Sequence, residues 1–593
     1  MIMFCFASCA EKDKADVMNK IGLEASEGAV TLSMYLMSEE PVSEEQELAM
    51  EAAVNAITEK EFKVRLDLKY FTADEYYGVL EADLAKMTEY YNGEGIGKKE
   101  ETPVYTDENG LPITYYPPIE DFDVDIFYFG GYDKYVKYSE AGYLKDISTE
   151  VDGSAKALKA VINTNLLNQV KVLNGKYDMV PMNRAIGEYT YILLNKKVLA
   201  ETQYAAKDIS SLVDEDCQDL LSLVDDIFGE EYVPLKSYTG ELDIVDVEYF
   251  GVDENGMMTD GFSLIAGTYG NDWTYGAPGS YPVMSDILGT KNCGRLSAAE
   301  QIKVLKGYEF NGYYGTEEDA DKPFAVGYVK GGPEVLAKYG HDYEIVPVEM
   351  PKLETADVYE HAMGISEKTN SVKQSAEIVT YLNTNEEFRN LLLYGIEKEN
   401  YVWVDAIGED GNPIIDENGE VYKVVSRLTD DPDKLYVMDK NKTGNVIYAY
   451  PAVGENPLAS EYALAQNQDL QLDYTLGFNL YKASFAKLGD VDLTALKAVT
   501  KASAGFYQQI MDAKTEEELN AAIDAIAAYV AGDEVKAVLD MPGMEEAPEA
   551  DAPAEEGGEG DTPIEEEKEY TSVAAYYDEW LTAKGLKVVE TEE

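Results

Sequence analysis

The sequence is poor in the residues from which metal centres and catalytic relays are most often built. Its 593 residues include only two histidines, His341 and His361, and four cysteines without a Cys-x-x-Cys pattern. Two histidines are too few for most histidine-ligated metal sites, so we interpret both as structural or surface residues. Cys217 and Cys293 are the two cysteines in the body of the chain. They form either one disulfide or two buried free thiols. We expect no metal ion, no cofactor and no catalytic group.

Positive charge is also scarce, because 48 lysines and arginines face 114 aspartates and glutamates and the net charge is −66. Nucleic-acid binding needs clusters of basic residues that release counterions from phosphates, so this function is excluded. Anionic lipid surfaces would repel the chain, so attachment to a membrane would need a covalent anchor. No run approaches the ~18 apolar residues of a membrane-spanning helix, and none is predicted.

Tyrosine, in contrast, is abundant, with 46 residues against 16 phenylalanines and 3 tryptophans. The tyrosine ring combines apolar faces with a hydrogen-bonding hydroxyl, which suits clefts that bind polar ligands as well as exposed surfaces. The length of the chain exceeds what one hydrophobic core usually supports. We therefore expect two or more lobes.

The N-terminus, MIMFCFASCAEKDKAD, changes abruptly from apolar to charged residues at Cys9. Two small residues, Ala7 and Ser8, precede this cysteine, as at the end of a bacterial lipoprotein signal, although Phe6 replaces the usual aliphatic residue. We interpret residues 1–9 as a truncated lipoprotein signal that ends at the lipidated Cys9, and residues 10–28 as a flexible tether. The alternative is an ordinary apolar N-terminus with incidental cysteines.

Strand and helix patterns alternate from residue 29 onward. Strands are predicted at residues 29–37, 62–71 and 123–131, and helices at 38–60, at 73–87 and after the glycine pair at 130–131. This alternation predicts an α/β fold with a parallel sheet that binds ligands at the carboxyl ends of its strands.

The sequence Asp-Glu-Asn-Gly occurs at residues 107–110, 253–256 and 416–419. Each occurrence predicts a hairpin turn, since Asn-Gly supplies positive φ angles and the ligand spacing of a calcium loop is missing. Residues 541–567 are acidic and rich in proline and glycine, and we expect a disordered insertion. Residues 568–593 regain amphipathic spacing and predict a helix that docks on the body of the protein.

Three segments resemble one family. They are VDIFYFGGYDKYVKYSEAGYLKDIS (124–148), GKYDMVPMNRAIGEYTYILLNKKVL (175–199) and AMGISEKTNSVKQSAEIVTYLNTNEEFRNLLLYGIEKENY (362–401). In this order, behind a lipobox-like cysteine, they resemble bacterial extracellular sugar-type solute-binding lipoproteins of ABC importers, from about residue 29 to about residue 539. Lys398 and Glu399, where the family usually has small residues, depart from the pattern.

The resemblance implies a two-lobed, periplasmic-binding-protein-like fold of type II, whose lobes are joined by several hinge crossings. The expected N-terminal lobe comprises residues 29–180 and about 345–450. The expected C-terminal lobe comprises residues 181–344 and about 451–540. The implied function is capture of a small polar solute, expected to be a mono- or oligosaccharide, in the cleft between the lobes. The implied partners are ABC permease subunits, and the implied location is the outer face of the cell membrane, as a lipid-anchored monomer.

Candidate ligand-binding residues are polar or aromatic side chains at predicted strand ends and in loops: Glu39, Tyr132, Asn183, Arg184, Tyr269, Trp273, Tyr328, Trp403 and Tyr450. Arg184 offers a planar fork for hydroxyls or a carboxylate, but it can also simply fix the hinge. Trp273 lies in a glycine-rich loop, which favours contact with ligand over core packing. For Tyr328 and Trp403, packing in the core is the alternative.

Two other classes of function compete with solute capture. A cell-surface glycan-binding protein such as an adhesin would predict sequence repeats, which are absent beyond the three turns. A carbohydrate-active enzyme would use paired carboxylates, but among 114 acidic residues such pairs arise by chance. No known catalytic motif occurs either, so we do not expect an enzyme.

Overall fold

The computed structural model describes residues 29–92, 104–106, 112–114, 122–171, 175–236, 248–253, 262–269, 282–289, 297–319, 322–353, 355–408, 411–416, 418–428, 435–472 and 493–539. These residues divide into two compact units. Unit 1 holds the chain up to Gly187 together with Leu353–Leu470, and unit 2 holds Glu188–Lys352 together with the chain from Gln471 onward. The chain therefore passes from one unit to the other after Gly187, after Lys352 and after Leu470.

The strands in chain order are β1 Val30–Ser38, β2 Val64–Thr72, β3 Val104–Thr106, β4 Pro112–Thr114, β5 Ile126–Phe129, β6 Val180–Pro181, β7 Tyr189–Asn195, β8 Val233–Lys236, β9 Glu248–Tyr249, β10 Ile265–Tyr269, β11 Pro282–Asp286, β12 Phe324–Gly331, β13 Tyr343–Glu349, β14 Lys352–Leu353, β15 Ala362–Ile365, β16 Tyr401–Asp405, β17 Lys423–Arg427 and β18 Gln471–Leu472.

The α-helices are α1 Glu44–Phe62, α2 Ala73–Tyr91, α3 Tyr132–Glu140, α4 Ser148–Asp152, α5 Leu158–Val161, α6 Thr164–Gln169, α7 Lys196–Thr202, α8 Glu215–Phe228, α9 Ala298–Phe310, α10 Glu334–Tyr339, α11 Thr355–Tyr359, α12 Val372–Thr384, α13 Glu386–Tyr394, α14 Ala459–Gln468, α15 Thr494–Asp512, α16 Glu516–Val530 and α17 Asp533–Leu539. In the part of the chain that the structure describes, no helix is both long and apolar enough to cross a membrane.

Unit 1 is built on a five-stranded sheet in the order β2-β1-β5-β15-β6. β1 runs parallel to β2 along its whole length, and it runs parallel to β5 on its other side. The predicted alternation of strands and helices and the predicted parallel pairing are therefore confirmed. β15 is antiparallel to both of its neighbours, which makes the sheet mixed. This strand enters after the chain has returned from unit 2, so the local alternation could not predict its direction.

Helix α1 covers the outer edge of this sheet. β2 is the edge strand, and the Asn55 amide on α1 donates to the carbonyl of Leu66 (2.9 Å) and accepts from its N–H (2.6 Å). Two residues further along the strand, Glu51 accepts from the N–H of Leu68 (3.1 Å). These side chains satisfy the backbone groups that an edge strand would otherwise leave open to pairing with another chain.

Unit 2 contains a four-stranded sheet in the order β13-β7-β12-β8, again with parallel and antiparallel pairs. Its buried core joins Ile192 and Leu194 of β7 to Leu221 and Cys217 of α8. Cys217 is a buried free thiol whose pKa is raised to about 12 by burial. Cys293 lies outside the described residues. The two α/β units confirm the predicted fold class.

The helices α15, α16 and α17 confirm the helical pattern at the end of the described chain. They are fixed to unit 2 by polar contacts as well as by apolar packing. Ser503 of α15 accepts from the N–H of Leu264 (3.0 Å), and Thr500 accepts from the N–H of Val252 (3.0 Å). The nearly buried ammonium of Lys306 on α9 donates to the carbonyl of Met511 (3.3 Å).

The crossings lie further along the chain than the lobe boundaries expected after residues 180, 344 and 450. The largest difference concerns residues 451–470, which belong to unit 1. Hydrogen bonds attach this segment to unit 1, because Gln466 of α14 donates to the carbonyl of Ile186 (3.0 Å) and Asn467 donates to that of Arg184 (2.6 Å). Such contacts between distant segments leave no local signal in the sequence.

One of the three predicted hairpin turns is described almost completely. At 416–419, the N–H of Gly419 donates to the carbonyl of Asp416 (3.1 Å), and Gly419 has a φ of 87°. Around 107–110, β3 and β4 pair antiparallel, as a hairpin requires, although the turn itself lies outside the described residues. Residues 254–256, 1–28, 541–567 and 568–593 also lie outside them. Predictions for these segments stay predictions.

We predict that Asn55→Ala lowers the free energy of unfolding by about 2 kcal/mol, because the N–H and C=O groups of Leu66 are left buried without partners. Urea denaturation followed by circular dichroism measures the change. The control is Lys60→Ala on the same helix, whose side chain is 78% exposed, and it should stay within about 0.5 kcal/mol of wild type. Equal stability of both variants would contradict the edge-covering role of Asn55.

Candidate functional site

Four of the predicted binding residues lie at one edge of the unit 1 sheet. Glu39 follows β1, Tyr132 follows β5 after two glycines, and Asn183 and Arg184 follow β6. β1, β5, β15 and β6 are successive neighbours in the sheet, and the three strands that precede these residues run in the same direction. We call this edge the strand-end site. Neighbouring strands lie about 4.8 Å apart, so one sugar-sized ligand can reach residues from several of them.

The glycine pair after β5 sets the backbone of this site. Gly131 has a φ of 97°, which strongly favours glycine, and its N–H donates to the carbonyl of Tyr359 (2.8 Å). A Cβ atom on Gly130 would lie 2.4 Å from the carbonyl oxygen of Glu360. Both positions therefore need glycine to bring the start of α3 against the segment that precedes β15.

Tyr132 begins α3 and packs its ring against that of Tyr359, with centroids 5.1 Å apart. The Tyr132 side chain is half-buried, and its hydroxyl is enclosed without a hydrogen-bond partner in the described structure. Burial raises the pKa of Tyr132, so the hydroxyl stays protonated at neutral pH. The accessible part of this residue is thus its ring, which offers an apolar surface to a ligand.

A chain of polar groups runs below the glycine pair. The N–H of Gly130 donates to the hydroxyl of Tyr77 (3.2 Å), which is hydrogen-bonded to the hydroxyl of Tyr128. The Tyr128 hydroxyl lies 2.8 Å from Nδ1 of His361. Burial raises the pKa of Tyr128 and lowers that of His361, so both groups are neutral at pH 7 and share one hydrogen bond.

Arg184 is held by two carboxylates of unit 1. Its Nη2 lies 2.8 Å from Oδ1 of Asp357 and contacts Glu360, while its Nη1 donates to the carbonyl of Asp357 (3.2 Å). Only 11% of its side chain is exposed. These contacts fit the alternative in which Arg184 fixes the local backbone, and they leave Glu360, whose side chain is 52% exposed, closer to solvent.

Glu39 is exposed, and its N–H is fixed by the carbonyl of Val437 (3.0 Å). The negative charge of Glu39 acts on the guanidinium of Arg427, whose pKa is lowered mainly by burial. Asn183, in contrast, is buried, and its amide donates to the carbonyl of Val161 (2.8 Å). Glu39 therefore presents an exposed carboxylate at the edge, whereas the described contacts of Asn183 support the fold.

The other predicted residues are distributed between the units. Trp403 and Tyr450 meet in unit 1, with ring centroids 4.9 Å apart, and Trp403 is 37% exposed, which argues against a core role. Tyr328 is buried in the core of unit 2, which agrees with the alternative that it packs in the core. Tyr269 ends β10, but its side chain lies outside the described part of the chain, as does Trp273 entirely.

Sequence reasoning missed Tyr128, Glu360 and His361, which the structure brings to the strand-end site. A lone histidine carries little signal, and Glu360 is one acidic residue among many. A weak signal existed for Tyr128, because a hydroxyl inside an otherwise apolar buried strand needs a polar partner. Within the described residues, no group of three histidine, cysteine, aspartate or glutamate side chains is arranged to hold a metal ion.

The chain thus folds into two α/β units and crosses between them three times. In unit 1, polar groups gather at the carboxyl ends of parallel strands. No protein-family model and no curated protein sequence matches this chain. Among solved structures, it is similar to the N-glycan transport solute binding protein NgtS from Streptococcus pneumoniae, with 16% identity and a TM-score of 0.45 over 93% of this chain and 99% of that chain.

Two further solved structures are similar over most of their length. An extracellular solute-binding protein from Bifidobacterium longum subsp. infantis is 12% identical, with a TM-score of 0.41, over 85% of this chain and 96% of that chain. The sugar-binding protein MalE from Xanthomonas citri is 10% identical, with a TM-score of 0.33, over 81% of this chain and 98% of that chain.

His361 predicts a pH dependence of stability. Burial lowers its pKa below 6.5 in the folded state, so the unfolded chain takes up a proton first as the pH falls. The free energy of unfolding should therefore decrease as the pH falls through about 6.5. His361→Gln keeps a hydrogen-bonding group beside Tyr128 and should make this decrease smaller in urea denaturation between about pH 7.5 and pH 5.

The control for this prediction is His341→Gln, since His341 is exposed and pairs only with its neighbour Asp342 among the described contacts. It should keep the wild-type pH dependence. If the two histidine variants and wild type lose stability in parallel as the pH falls, then the lowered pKa assigned to the half-buried His361 is wrong.

Proposed function

We propose that this chain is the extracytoplasmic solute-binding subunit of a bacterial ABC importer. It captures a small polar solute, a carbohydrate, and delivers it to permease subunits. The three segments that resemble sugar-type solute-binding lipoproteins support this proposal. So does the division into two α/β units between which the chain passes three times, because such proteins are built in this way.

The observation that carries the proposal is the convergence at the strand-end site. Glu39, Tyr132 and Arg184 come from segments more than 50 residues apart and reach the same edge of one sheet. In α/β sheets, this edge is where ligands bind. It offers the exposed carboxylate of Glu39 and the ring of Tyr132, a combination that suits hydroxyl groups and the apolar face of a sugar.

The charges at this site favour a neutral ligand. Arg184 is paired with Asp357 and Glu360, and the guanidinium of Arg427 is attracted by the negative charge of Glu39. In addition, Lys442 contacts Asp439, 3.2 Å away. Among these groups, three cations face four carboxylates, so the site has no excess of positive charge to attract an anionic ligand. A neutral polar solute can bind here without leaving an unpaired charge at the site.

We further propose that the protein is anchored to the outer face of the membrane through a lipid on Cys9. The small residues Ala7 and Ser8 and the switch to charged sequence support this assignment. Diacylation would provide the two acyl chains that stable anchoring needs, and a covalent anchor is required because the acidic surface is repelled by anionic lipids.

Binding is tested by isothermal calorimetry of the full chain against a panel of neutral mono- and oligosaccharides. With a sugar that binds, Glu39→Gln and Tyr132→Ala should each weaken affinity about fivefold or more, since each removes about 1 kcal/mol of contact energy. Glu40→Gln, which changes the exposed neighbouring carboxylate, is the control and should bind as wild type does. The absence of binding across the panel would refute carbohydrate capture.

The anchor is tested by expressing the full-length gene, with any upstream codons, in a bacterial host. Wild type should sediment with membranes and remain there in high salt. Cys9→Ala should release the protein into the soluble fraction, whereas Cys5→Ala, which changes the other N-terminal cysteine, should not. Retention of Cys9→Ala on the membrane would show that the assignment is incorrect.

A further inference from the structure

Glu360 is an exposed carboxylate that lies at the strand-end site. The backbone around it is fixed on either side, because the carbonyl of Tyr359 accepts from the N–H of Gly131 (2.8 Å) and that of His361 accepts from the N–H of Met182 (2.9 Å). The side chain of Glu360 is 52% exposed. The fold therefore holds this carboxylate, open to solvent, at the edge of the sheet where α/β proteins bind ligands.

Among the described residues, only one of the two carboxylate oxygens of Glu360 accepts a hydrogen bond. Oε2 accepts from Nη2 of Arg184. Oε1 lies 3.8 Å from Nε2 of His361, which is beyond the ~2.7–3.2 Å of a hydrogen bond between nitrogen and oxygen. In this arrangement, Oε1 can accept from a hydroxyl group of a bound sugar. Such a bond is strengthened by the charge of the carboxylate.

The ring of His361 is held between Glu360 and Tyr128. Its Nδ1 lies 2.8 Å from the Tyr128 hydroxyl, and only 16% of the His361 side chain is exposed. A neutral imidazole carries an N–H on one ring nitrogen, whereas a protonated imidazole carries an N–H on both. Protonation of His361 therefore gives Nε2 an N–H and places a positive charge beside Oε1 of Glu360. A small rotation of either side chain then closes the 3.8 Å gap to a charge-assisted hydrogen bond.

The titratable and charged groups that act on His361 come from four segments of unit 1. They are Tyr128 of β5, Arg184 after β6, Glu360 of the same segment, and Asp439 and Lys442 of residues 439–442. The two carboxylates favour the protonated ring, and the two basic groups oppose it. Burial is the largest effect, and it lowers the pKa of His361. The ring is therefore neutral at pH 7 and takes up its proton as the pH falls below about 6.5.

We infer that Glu360 is a ligand-binding residue of the strand-end site and that His361 is a positioning residue, which engages Glu360 when it is protonated. Arg184 then holds Oε2 and His361 holds Oε1, so both oxygens are hydrogen-bonded within the protein and are weaker acceptors for a sugar hydroxyl. Capture is therefore strong at neutral pH and weak in mildly acidic solution. This inference rests on the proposed function, and it adds a binding residue and a pH dependence of affinity.

The sign of this coupling follows from linkage. A ligand that prefers the protein with neutral His361 must lose affinity as the pH falls through the pKa of this residue. By reciprocity, the same ligand must displace a proton when it binds at a pH where His361 is partly protonated. Affinity and proton release are thus two independent measurements of one coupling.

The test is calorimetry of the full chain at about pH 7.5 and about pH 5. The probe is the sugar that binds most tightly among neutral gluco-, galacto-, manno-, xylo- and chito-oligosaccharides of one to about six units. Wild type should bind it about fivefold or more weakly at the lower pH. His361→Gln should remove most of this difference. Glu360→Gln should weaken binding about fivefold or more at the higher pH, since an amide oxygen is a weaker acceptor, and should also remove the difference.

Two variants serve as matched controls. His341→Gln changes a histidine that is 93% exposed. Glu397→Gln changes a carboxylate that is 48% exposed and lies 3.7 Å from the ammonium of Lys398, as Glu360 is exposed and paired with Arg184. Both controls should keep the wild-type affinity at each pH. Circular dichroism at the two pH values shows that every variant is folded.

The second measurement needs no substitution. Wild type is titrated with the same sugar at about pH 6 in buffers of different ionisation enthalpy, so that the heat reports the protons exchanged on binding. Binding should release protons. This result would not depend on whether the variants of Glu360 and His361 fold.

Three results would overturn the inference while leaving the proposed function intact. They are sugar binding that is equally tight at both pH values without proton release, a His361→Gln variant that keeps the full pH dependence, and a Glu360→Gln variant that binds as wild type does. The second result would show that another group is responsible for the pH dependence. If no sugar of any series binds at either pH, the proposed function fails and the inference fails with it.

Discussion

The parallel pairing of β1 with β2 and β5 is the constraint on which the rest of unit 1 depends. Parallel strands end at the same side of a sheet, so the segments that follow β1 and β5 must begin beside each other. β6 runs in the same direction, and β15 runs in the opposite one, which delivers its leading residues Glu360 and His361 to the same edge. The pairing direction thus brings together groups that are far apart in sequence.

Buried guanidinium groups hold the segments around this edge. Arg389 is fully buried, and it donates to the carbonyls of Asn445 (2.9 Å) and Lys440 (2.7 Å). Arg427 donates to the carbonyls of Leu393, Tyr436 and Met438. Irregular segments lack the ladders of helices and strands, so their backbone groups need such donors. These bonds form within the protein, so the segments around the strand-end site are held by the fold itself, and preorganisation of this kind reduces the entropy that a site loses on binding.

Much of the fold and part of the site follow from the sequence alone. Periodicity was sufficient for β2, whose burial alternates along the strand, whereas β1 and β5 are buried on both faces and are recognisable as short apolar runs. The glycine pair after β5 was recognisable because few other residues permit such a turn. The position of Glu39, Tyr132 and Arg184 at one edge of the sheet was predictable because parallel strands end on the same side. The charge imbalance alone excluded nucleic acid as a partner.

Only the tertiary structure decided which of these residues meet and which ones serve the fold. Arg184 contacts Asp357, Tyr128 contacts His361, and residues 451–470 join unit 1 through Gln466 and Asn467. It also placed Tyr328 in the core and Trp403 at the surface. The reason is physical: the burial of one face of a helix or strand leaves a pattern in neighbouring residues. A contact across 173 or 233 positions depends on how the chain returns to its sheet, and no local pattern records that path.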